Sequence, residues 1–231
     1  CNPNNPTGTV YTRKEIETLL NICEEHNLFL LSDEAYREFV YDDLEPLSIL
    51  NVAPNNPRVV VLDSLSKRFS LCGARLGCLI STNEEFMARV LCFAQARLSV
   101  STLEQFAAAY MMERISQDFI IAVREEYQKR RDTLSDALQS IPGVFARRTQ
   151  GAFYMIIRLP VNDADAFAAY MLEEVSFKGA TTFVAPASGF YLDNSRGKNE
   201  VRAAYVLEQA DIINAVEVLE YALKQFKSSH G

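Results

Sequence analysis

The chain has 231 residues, of which 48% are hydrophobic, and its formal net charge at pH 7 is −7. This length supplies one large domain or two modest ones with a sizeable core. No stretch approaches the roughly 18 apolar residues of a membrane span, nothing at the start resembles a signal peptide, and the acidic charge argues against nonspecific nucleic-acid binding. Five cysteines without CxxC spacing and only two histidines argue against structural zinc and a histidine-based triad. We therefore expect no metal site and a cytoplasmic protein with reduced thiols.

The amino-terminal third predicts an α/β arrangement. Turn residues "NPNNPTG" lead to a capping box of Thr12 and Glu15, and helical spacing of apolar residues predicts a helix over 13–26. Short apolar runs then predict strands, and continuous runs of this kind are typical of parallel strands buried on both faces. The predicted strands cover 28–31, 59–62 and 74–81.

Helical patterns follow, and after them the pattern changes to short strands and helices. Capping boxes at Thr82/Glu85 and Ser101/Glu104 predict two helices, and a long helical pattern over 117–141 is interpreted as a strut between domains. Short strand patterns alternating with two helical patterns then predict a small α+β domain. The predicted limits are 1–116 for a partial cofactor-binding domain, 117–142 for the connecting helix and 143–231 for the small domain.

The stretch "SLSKRFSLCGARLG" places Lys67 directly after a predicted strand. By itself Lys67 is interpreted as a surface lysine, since most lysines are exposed. Its neighbours point elsewhere, because the hydroxyls of Ser64 and Ser66 with the guanidinium of Arg75 form a set suited to phosphate. A lysine beside a bound phosphate compound can form a Schiff base with it.

The stretch "SDEAY" ends the preceding predicted strand in the same way. Asp33 alone is typical of a helix cap. Beside a phosphate-anchored pyridine it gains a role, because a buried carboxylate can keep the ring nitrogen protonated and the ring electron-poor. The phenol of Tyr36 can bond a ring hydroxyl. Both polar groups lie where ligands bind in parallel sheets, beyond the carboxyl ends of strands.

Four motifs in order, "NPNNPTG", "SDEAY", "SLSKRFSLCGARLG" and "NEVRAAYV", together resemble the pyridoxal-phosphate-dependent aminotransferases of class I and II, fold type I. The resemblance covers essentially the whole chain. It implies an α/β fold: the second half of the large domain, a mostly parallel sheet with helices, plus a small α+β carboxyl-terminal domain. In that family a comparable half precedes "NPNNPTG", so we expect this chain to be the carboxyl-terminal part, to be inactive alone and to hold the cofactor poorly.

The resemblance also implies roles toward pyridoxal 5′-phosphate. Lys67 would form the Schiff base and shuttle the substrate's α-proton, and Asp33 would pair with the pyridine nitrogen. The other implied cofactor-binding residues are Tyr36 and Asn5 at the ring's phenolic oxygen and Ser64, Ser66 and Arg75 at the phosphate.

On the substrate side, the resemblance implies that Arg202 grips the α-carboxylate bidentately, with Asn5 nearby. Arg97 is a lesser candidate for reading a side-chain carboxylate from the neighbouring subunit, and a helix-end arginine is its plain interpretation. The family's bond at Asn5–Pro6 is usually cis. Tyr154 and Tyr191 are interpreted as packing residues, with the substrate side of the small domain as the alternative.

The function implied is transfer of an amino group between an amino acid and a 2-oxo acid, with aspartate and 2-oxoglutarate preferred, in a homodimer. Two alternatives share the motifs, since a fold does not fix a function: a C–S lyase or other lyase using the same cofactor, and a non-catalytic sensor domain. A third, the S-x-x-K serine acyl-enzyme motif spelled by "SLSK", lacks its companion S-D-N and K-T-G motifs.

Overall fold

A computed structural model describes residues 1–193 and 195–230, with side chains described up to 226. The chain forms two compact units. The first comprises Cys1–Asn4, Thr9–Arg124 and Gln150–Ala152, and the second comprises Asn5–Gly8, Glu125–Thr149 and the chain from Phe153 onward. Among the described helices, none combines the length and the apolar character needed to cross a bilayer. The domain limits drawn from the sequence stay a prediction.

The first unit alternates helices with short strands. Its elements are α1 (Arg13–Glu25), β1 (Leu30–Asp33), β2 (Val59–Ser64), α2 (Leu65–Arg68), β3 (Gly77–Ile80), α3 (Glu84–Arg97) and α4 (Thr102–Met112). Helix α5 (Gln117–Leu138) follows, and the division between the units falls within it, after Arg124.

Helix α1 forms as the sequence predicts. The Thr12 side chain accepts a hydrogen bond from the Glu15 backbone, and the Glu15 carboxylate accepts one from the Thr12 backbone at 2.7 Å, which confirms the capping box. The helix buries Ile16, Leu20 and Cys23, which are spaced four and three residues apart and so share one face. Ile16 and Leu20 pack in one core cluster with apolar residues of β2.

The three strands form a sheet in the order β1-β2-β3. Strands β1 and β2 are parallel, with Asp33 opposite Leu62, whereas β2 and β3 are antiparallel, with Ser64 opposite Gly77. In β2 the run Val59–Val61 is buried, as predicted. This sheet places Asp33 and Ser64, the last residues of two parallel strands, at the same edge.

Three local expectations were wrong. In the predicted capping box of α4, Ser101 is the N-cap, but its side chain accepts no capping hydrogen bond from the helix backbone. The 28–31 run is not buried on both faces: Leu31 is 58% exposed, because it lies on the solvent face of β1, whereas Leu30, on the other face, packs against the core cluster of α1 and β2. The cap of α3 is Asn83, whose side chain accepts from the Phe86 backbone at 2.9 Å, rather than Thr82. An amide side chain competes equally well for this position.

The second unit is the small α+β fold that the sequence predicts. Its elements after α5 are β4 (Phe145–Ala146), β5 (Tyr154–Arg158), α6 (Ala164–Glu173), β6 (Ala185–Pro186), β7 (Glu200–Ala204) and α7 (Gln209–His230). The strands form one antiparallel sheet in the order β4-β5-β7-β6. Alternate residues of β5, Met155 and Ile157, are fully buried, so one face of the sheet forms the core and the other carries Tyr154 and Ile156.

A buried arginine ties α5 to the loop that precedes β5. The Arg131 side chain is 0% exposed; its Nη2 lies 2.7 Å from Asp132 Oδ1, and its Nη1 donates to the Thr149 carbonyl at 2.8 Å. The Thr149 hydroxyl in turn lies 2.9 Å from the hydroxyl of the buried Tyr205. These contacts provide acceptors for a charge that burial would otherwise strongly disfavour.

Replacing Arg131 by Met should therefore lower the free energy of unfolding by about 3 kcal/mol, because the Thr149 carbonyl and Asp132 lose their donor. Urea unfolding of the complete protein measures this. Arg148→Met is the matched control, since Arg148 forms exposed ion pairs and should cost less than about 1 kcal/mol. Equal losses for both variants would contradict the structural role of Arg131.

Candidate functional site

Asp33 ends β1 with its side chain at the edge of the sheet. Its backbone carbonyl accepts a hydrogen bond from Asn2 at 2.9 Å, and its Oδ1 accepts from the Ala35 backbone at 3.1 Å. The side chain is exposed, not buried as the sequence argument expected, because the residue lies past the apolar part of an edge strand.

Tyr36 lies in the turn after β1. Backbone bonds from Arg37 to Glu34 at 3.0 Å and from Phe39 to Tyr36 at 2.9 Å close this turn, and the Tyr36 side chain is only 5% exposed. Burial restricts the movement of the Tyr36 ring, and Tyr36 lies only three residues after Asp33. The end of β1 therefore positions both residues.

Lys67 lies in α2, the four-residue helix that continues β2. Ser64 caps this helix: its hydroxyl accepts from the Ser66 backbone at 3.2 Å and lies 3.4 Å from the Leu76 carbonyl, toward which it can donate. The cap turns the chain sharply from strand to helix, so that Lys67 and the hydroxyls of Ser64 and Ser66 follow the end of β2 directly. The Lys67 side chain is half-buried.

Arg75 has a left-handed backbone, with φ 55° and ψ 37°, at the end of a turn of 3₁₀ helix over Cys72–Ala74. Its side chain is exposed, and its Nη1 donates to the Cys72 carbonyl at 2.9 Å. That bond orients the guanidinium and uses one of its five N–H groups. The others suit an anion.

A charged cluster that the sequence reasoning missed supports these strand ends. Arg37 Nη1 donates to Glu34 Oε2 at 2.9 Å, and its Nη2 lies 3.7 Å from Asp63 Oδ2. Glu34 is 0% exposed, and its Oε1 also accepts from the Ser48 hydroxyl and the Ile49 backbone. The i,i+3 spacing of Glu34 and Arg37 was the available signal, but it cannot separate a buried pair from a solvated one.

Electrostatics in this cluster are set by mutual attraction. Burial alone would lower the pKa of Arg37, but its bond to Glu34 and the charges of Asp63 and Glu38 outweigh burial and raise it. Burial, with the Asp63 carboxylate nearby, raises the pKa of the Cys78 thiol, although Arg68 and Arg37 oppose this. Arg37 therefore keeps its charge more firmly than a free arginine, and the Cys78 thiol beside it loses its proton less readily than a free thiol.

In the second unit, the structure brings Arg202 and Asn5 together. Arg202 Nη1 donates to Asn5 Oδ1 at 3.0 Å, although the two residues are 197 positions apart. The Arg202 guanidinium carbon lies 4.6 Å from the centre of the Tyr154 ring and 5.0 Å from that of Phe190. Two cation–π contacts and one hydrogen bond to the Asn5 amide oxygen therefore hold the guanidinium, and other N–H groups of Arg202 suit a carboxylate.

Sheet register explains this arrangement. Arg202 on β7 pairs with Ile156 on β5, so Tyr154 is its diagonal neighbour on the same face. On the other side Arg202 pairs with Ala185 of β6, and the turn after that strand carries Phe190. Tyr154 therefore has a contact with a site residue, whereas Tyr191 hydrogen-bonds Glu200. The Asn5–Pro6 bond is cis, as expected.

Arg97 is the last residue of α3 and is exposed. Its position at a helix carboxyl end matches its plain interpretation, since a cation there interacts favourably with the helix dipole. Its role toward a substrate stays a prediction.

Comparison with known proteins identifies close relatives in sequence and fold. The family model described as aminotransferase class I and II matches residues 1–219. The chain is 28% identical over 227 residues to an aspartate aminotransferase of Pyrococcus horikoshii and 31% identical over 227 residues to an aromatic-amino-acid aminotransferase of Thermococcus litoralis. It superposes with a TM-score of 0.85 and 25% identity on an α-aminoadipate aminotransferase of Thermus thermophilus solved with N-(5′-phosphopyridoxyl)-L-leucine.

The matches cover nearly all of this chain but only part of each relative. Coverage is 96%, 97% and 97% of this chain against 55%, 56% and 57% of the three relatives, in the same order. The chain therefore spans about half the length of the proteins it matches.

Gly77 should tolerate no side chain, because a Cβ there would lie 2.8 Å from the Asp63 carbonyl oxygen in the neighbouring strand. Gly77→Ala should lower the free energy of unfolding by about 1–3 kcal/mol, since backbone rather than a flexible side chain must move. Gly73→Ala is the control, with nothing within 4 Å of its Cβ. Urea unfolding compares the two, and a Gly77 variant as stable as the Gly73 variant would contradict the close approach.

Proposed function

Because the chain belongs to the class I and II aminotransferases, we propose that the complete protein transfers an amino group between an amino acid and a 2-oxo acid, with pyridoxal 5′-phosphate bound at Lys67. Members of this family use that cofactor. The observation that carries the proposal is the shared sheet edge, where Asp33 ends one parallel strand and Lys67 follows the end of its neighbour.

The residues at this edge fit the cofactor by their chemistry. Asp33 offers a carboxylate oxygen for the protonated pyridine nitrogen, and the phenol of Tyr36 suits the ring hydroxyl. Ser64, Ser66 and Arg75 supply hydroxyls and a guanidinium, the donors that phosphate oxygens prefer. Lys67 adds the amine that a carbonyl carbon requires. Asp33 and Ser64 end their strands, the other residues of the set except Arg75 follow those ends, and Arg75 precedes β3, so rigid elements position the set.

Each side chain then has one task. Pyridoxal phosphate, when bound, withdraws electrons from the substrate's α-carbon. Asp33 keeps the ring nitrogen protonated, which this withdrawal requires. Lys67 would hold the cofactor through its amine, and when that amine is free it would move the proton from the substrate's α-carbon to the cofactor. A lysine base explains how the chemistry proceeds in a chain with two histidines.

Arg202 is the proposed receptor for the substrate's α-carboxylate, with Asn5 as its orienting partner. A planar guanidinium presents paired donors that match a carboxylate. The rings of Tyr154 and Phe190, with the Asn5 amide oxygen, restrict its rotation. Restricting it beforehand lowers the entropy lost on binding.

The proposal extends to substrate and assembly. Aspartate with 2-oxoglutarate is the preferred pair, on the analogy of the aspartate aminotransferases that the chain resembles, and Arg97 is the proposed reader of a side-chain carboxylate. A cytoplasmic homodimer is proposed as the working form. The strongly exposed apolar residues of α3 and α4 support it, because a second subunit would cover them: Phe93, Leu103, Phe106 and Tyr110.

The proposal predicts a covalent adduct at Lys67. Borohydride treatment of the complete protein with pyridoxal phosphate should leave a reduced phosphopyridoxyl group on Lys67, mapped by mass spectrometry, and Lys67→Ala should abolish it. Lys14→Ala, an exposed lysine of α1, is the control and should keep it. With amino-acid substrates the products should be a 2-oxo acid and an aminated acceptor; an adduct with lyase products instead would exclude amino transfer, and no adduct would exclude the cofactor.

A second prediction concerns Arg202. Arg202→Lys should raise KM for the amino-acid substrate about 10- to 100-fold, because a charge-assisted hydrogen bond is worth roughly 1.5–3 kcal/mol and an ammonium cannot bind bidentately. Steady-state kinetics of the complete enzyme measure it. Arg158→Lys is the matched control, since Arg158 lies on the same sheet over the Phe145 ring, and its KM should stay unchanged. Equal KM values for the two variants would exclude Arg202 as the receptor.

A further inference from the structure

Five charged residues near the ends of β1 and β2 form one connected group of ion pairs, here called the anchor cluster: Glu34, Arg37, Glu38, Asp63 and Arg68. Arg37 links Glu34, Glu38 and Asp63 at 2.9, 3.4 and 3.7 Å. Arg68 links Asp63 at 2.8 Å and Glu38 at 3.7 Å. Two of the five are chain neighbours of proposed site residues, because Glu34 follows Asp33 and Arg68 follows Lys67.

Asp63 holds both ends of α2. Its Oδ1 accepts from the Ser64 backbone, at the cap of the helix, at 2.7 Å. The same carboxylate accepts from Arg68 Nη2, on the last residue of the helix, at 3.1 Å to Oδ1 and 2.8 Å to Oδ2. Lys67 lies between these two attachments. A helix of one turn is unstable by itself, so such tertiary contacts determine where its residues lie.

Arg68 contributes the attachment that pairs two opposite charges. Its side chain is 11% exposed and that of Asp63 is 12%, so solvent screens this ion pair little. The Nε of Arg68 is buried without a hydrogen-bond partner among the described residues, since Glu38 lies 3.7 Å away. Asp63 is therefore the main partner of the guanidinium.

Direction matters as well as strength. Successive residues of an α-helix point about 100° apart, so Arg68 and Lys67 cannot face the same way. The Arg68 side chain is bound to Asp63 at the end of β2. Because Arg68 and Lys67 share the backbone of α2, this contact also determines the direction of the Lys67 side chain.

We propose that Arg68 is a positioning residue for Lys67: its ion pair with Asp63 fixes α2 on the end of β2, and so fixes where the Lys67 amine acts. This inference rests on the proposed function of Lys67. Arg68 touches neither substrate nor cofactor in this role, and it acts through the backbone of α2 and through its charge.

The test uses the complete enzyme loaded with pyridoxal phosphate and four variants: Arg68→Met, Arg68→Lys, Asp63→Asn and the control Arg13→Met, which changes an exposed arginine of the same unit. Three quantities are measured. The first is the pair of steady-state constants, kcat and KM, for the amino donor. The second is the fraction of Lys67 reduced by borohydride, and the third is the midpoint of the pH titration of the lysine-bound cofactor's visible absorbance.

Arg68→Met should lower kcat at least about tenfold with KM changed less than about twofold, since loss of positioning affects the transition state more than binding. Arg68→Lys should recover most of the lost rate, because the ion pair with Asp63 persists. The absorbance midpoint should rise in Arg68→Met, since losing a cation favours the protonated form at Lys67, and fall in Asp63→Asn, since losing an anion disfavours it. The other charges of the anchor cluster, on Glu34, Arg37 and Glu38, are common to all variants.

Arg68→Met with kcat and midpoint equal to those of Arg13→Met would overturn the inference. If Arg68→Met does not fold, Arg68→Lys and Asp63→Asn test the inference. An Arg68→Lys enzyme with a lowered kcat and an unchanged absorbance midpoint would overturn the inference. An Asp63→Asn enzyme whose kcat and midpoint match those of the unmutated enzyme would also overturn it. A complete enzyme that forms no borohydride-stable adduct at Lys67 would overturn the proposed function and this inference together. An adduct with four equivalent variants would overturn the inference alone.

Discussion

Backbone pairing between β1 and β2 is the constraint on which the first unit's candidate site depends. The two strands run parallel in a register that places Asp33 opposite Leu62, so both strands end at the same edge of the sheet. A carboxylate and a lysine that are 34 positions apart in sequence are thereby attached to neighbouring rigid elements. The buried run Val59–Val61 holds β2 in place, since its apolar side chains would each lose about 1.5–2 kcal/mol or more on exposure to water.

Ion pairs add a second constraint at the strand ends. Glu34, the residue after Asp33, is buried, and its burial is tolerated because Arg37, the Ser48 hydroxyl and the Ile49 backbone amide all bind its carboxylate. Breaking such a group by removing one member leaves a buried charge without compensation, which costs more than the intact pair contributes. The anchor cluster is therefore better understood as a device that fixes geometry at the strand ends than as a source of stability.

The sequence predicts the parts of this arrangement that are local. The capping box of α1 and the burial of β2 follow from residues within a few positions of each other. Exposure of Leu31 did not follow, because an apolar run does not reveal whether both faces of its strand are covered. The bond between Asn5 and Arg202 also lay beyond pattern reasoning: both residues were candidates, but a contact across 197 positions is decided by the sheet and not by spacing.

Arg202 and Lys67 illustrate two ways of fixing a side chain. Arg202 lies within a four-stranded sheet, so its direction follows from its register with Ile156, and the aromatic rings only narrow its rotation. Lys67 lies outside the ladder, in a single helical turn whose first residue, Leu65, donates to the Leu76 carbonyl at 3.2 Å. Asp63 adds side-chain contacts, because its carboxylate binds both the cap and the last residue of that turn. The register of a sheet therefore determines the direction of Arg202, whereas the ion pair of Arg68 with Asp63 holds the end of the turn that carries Lys67.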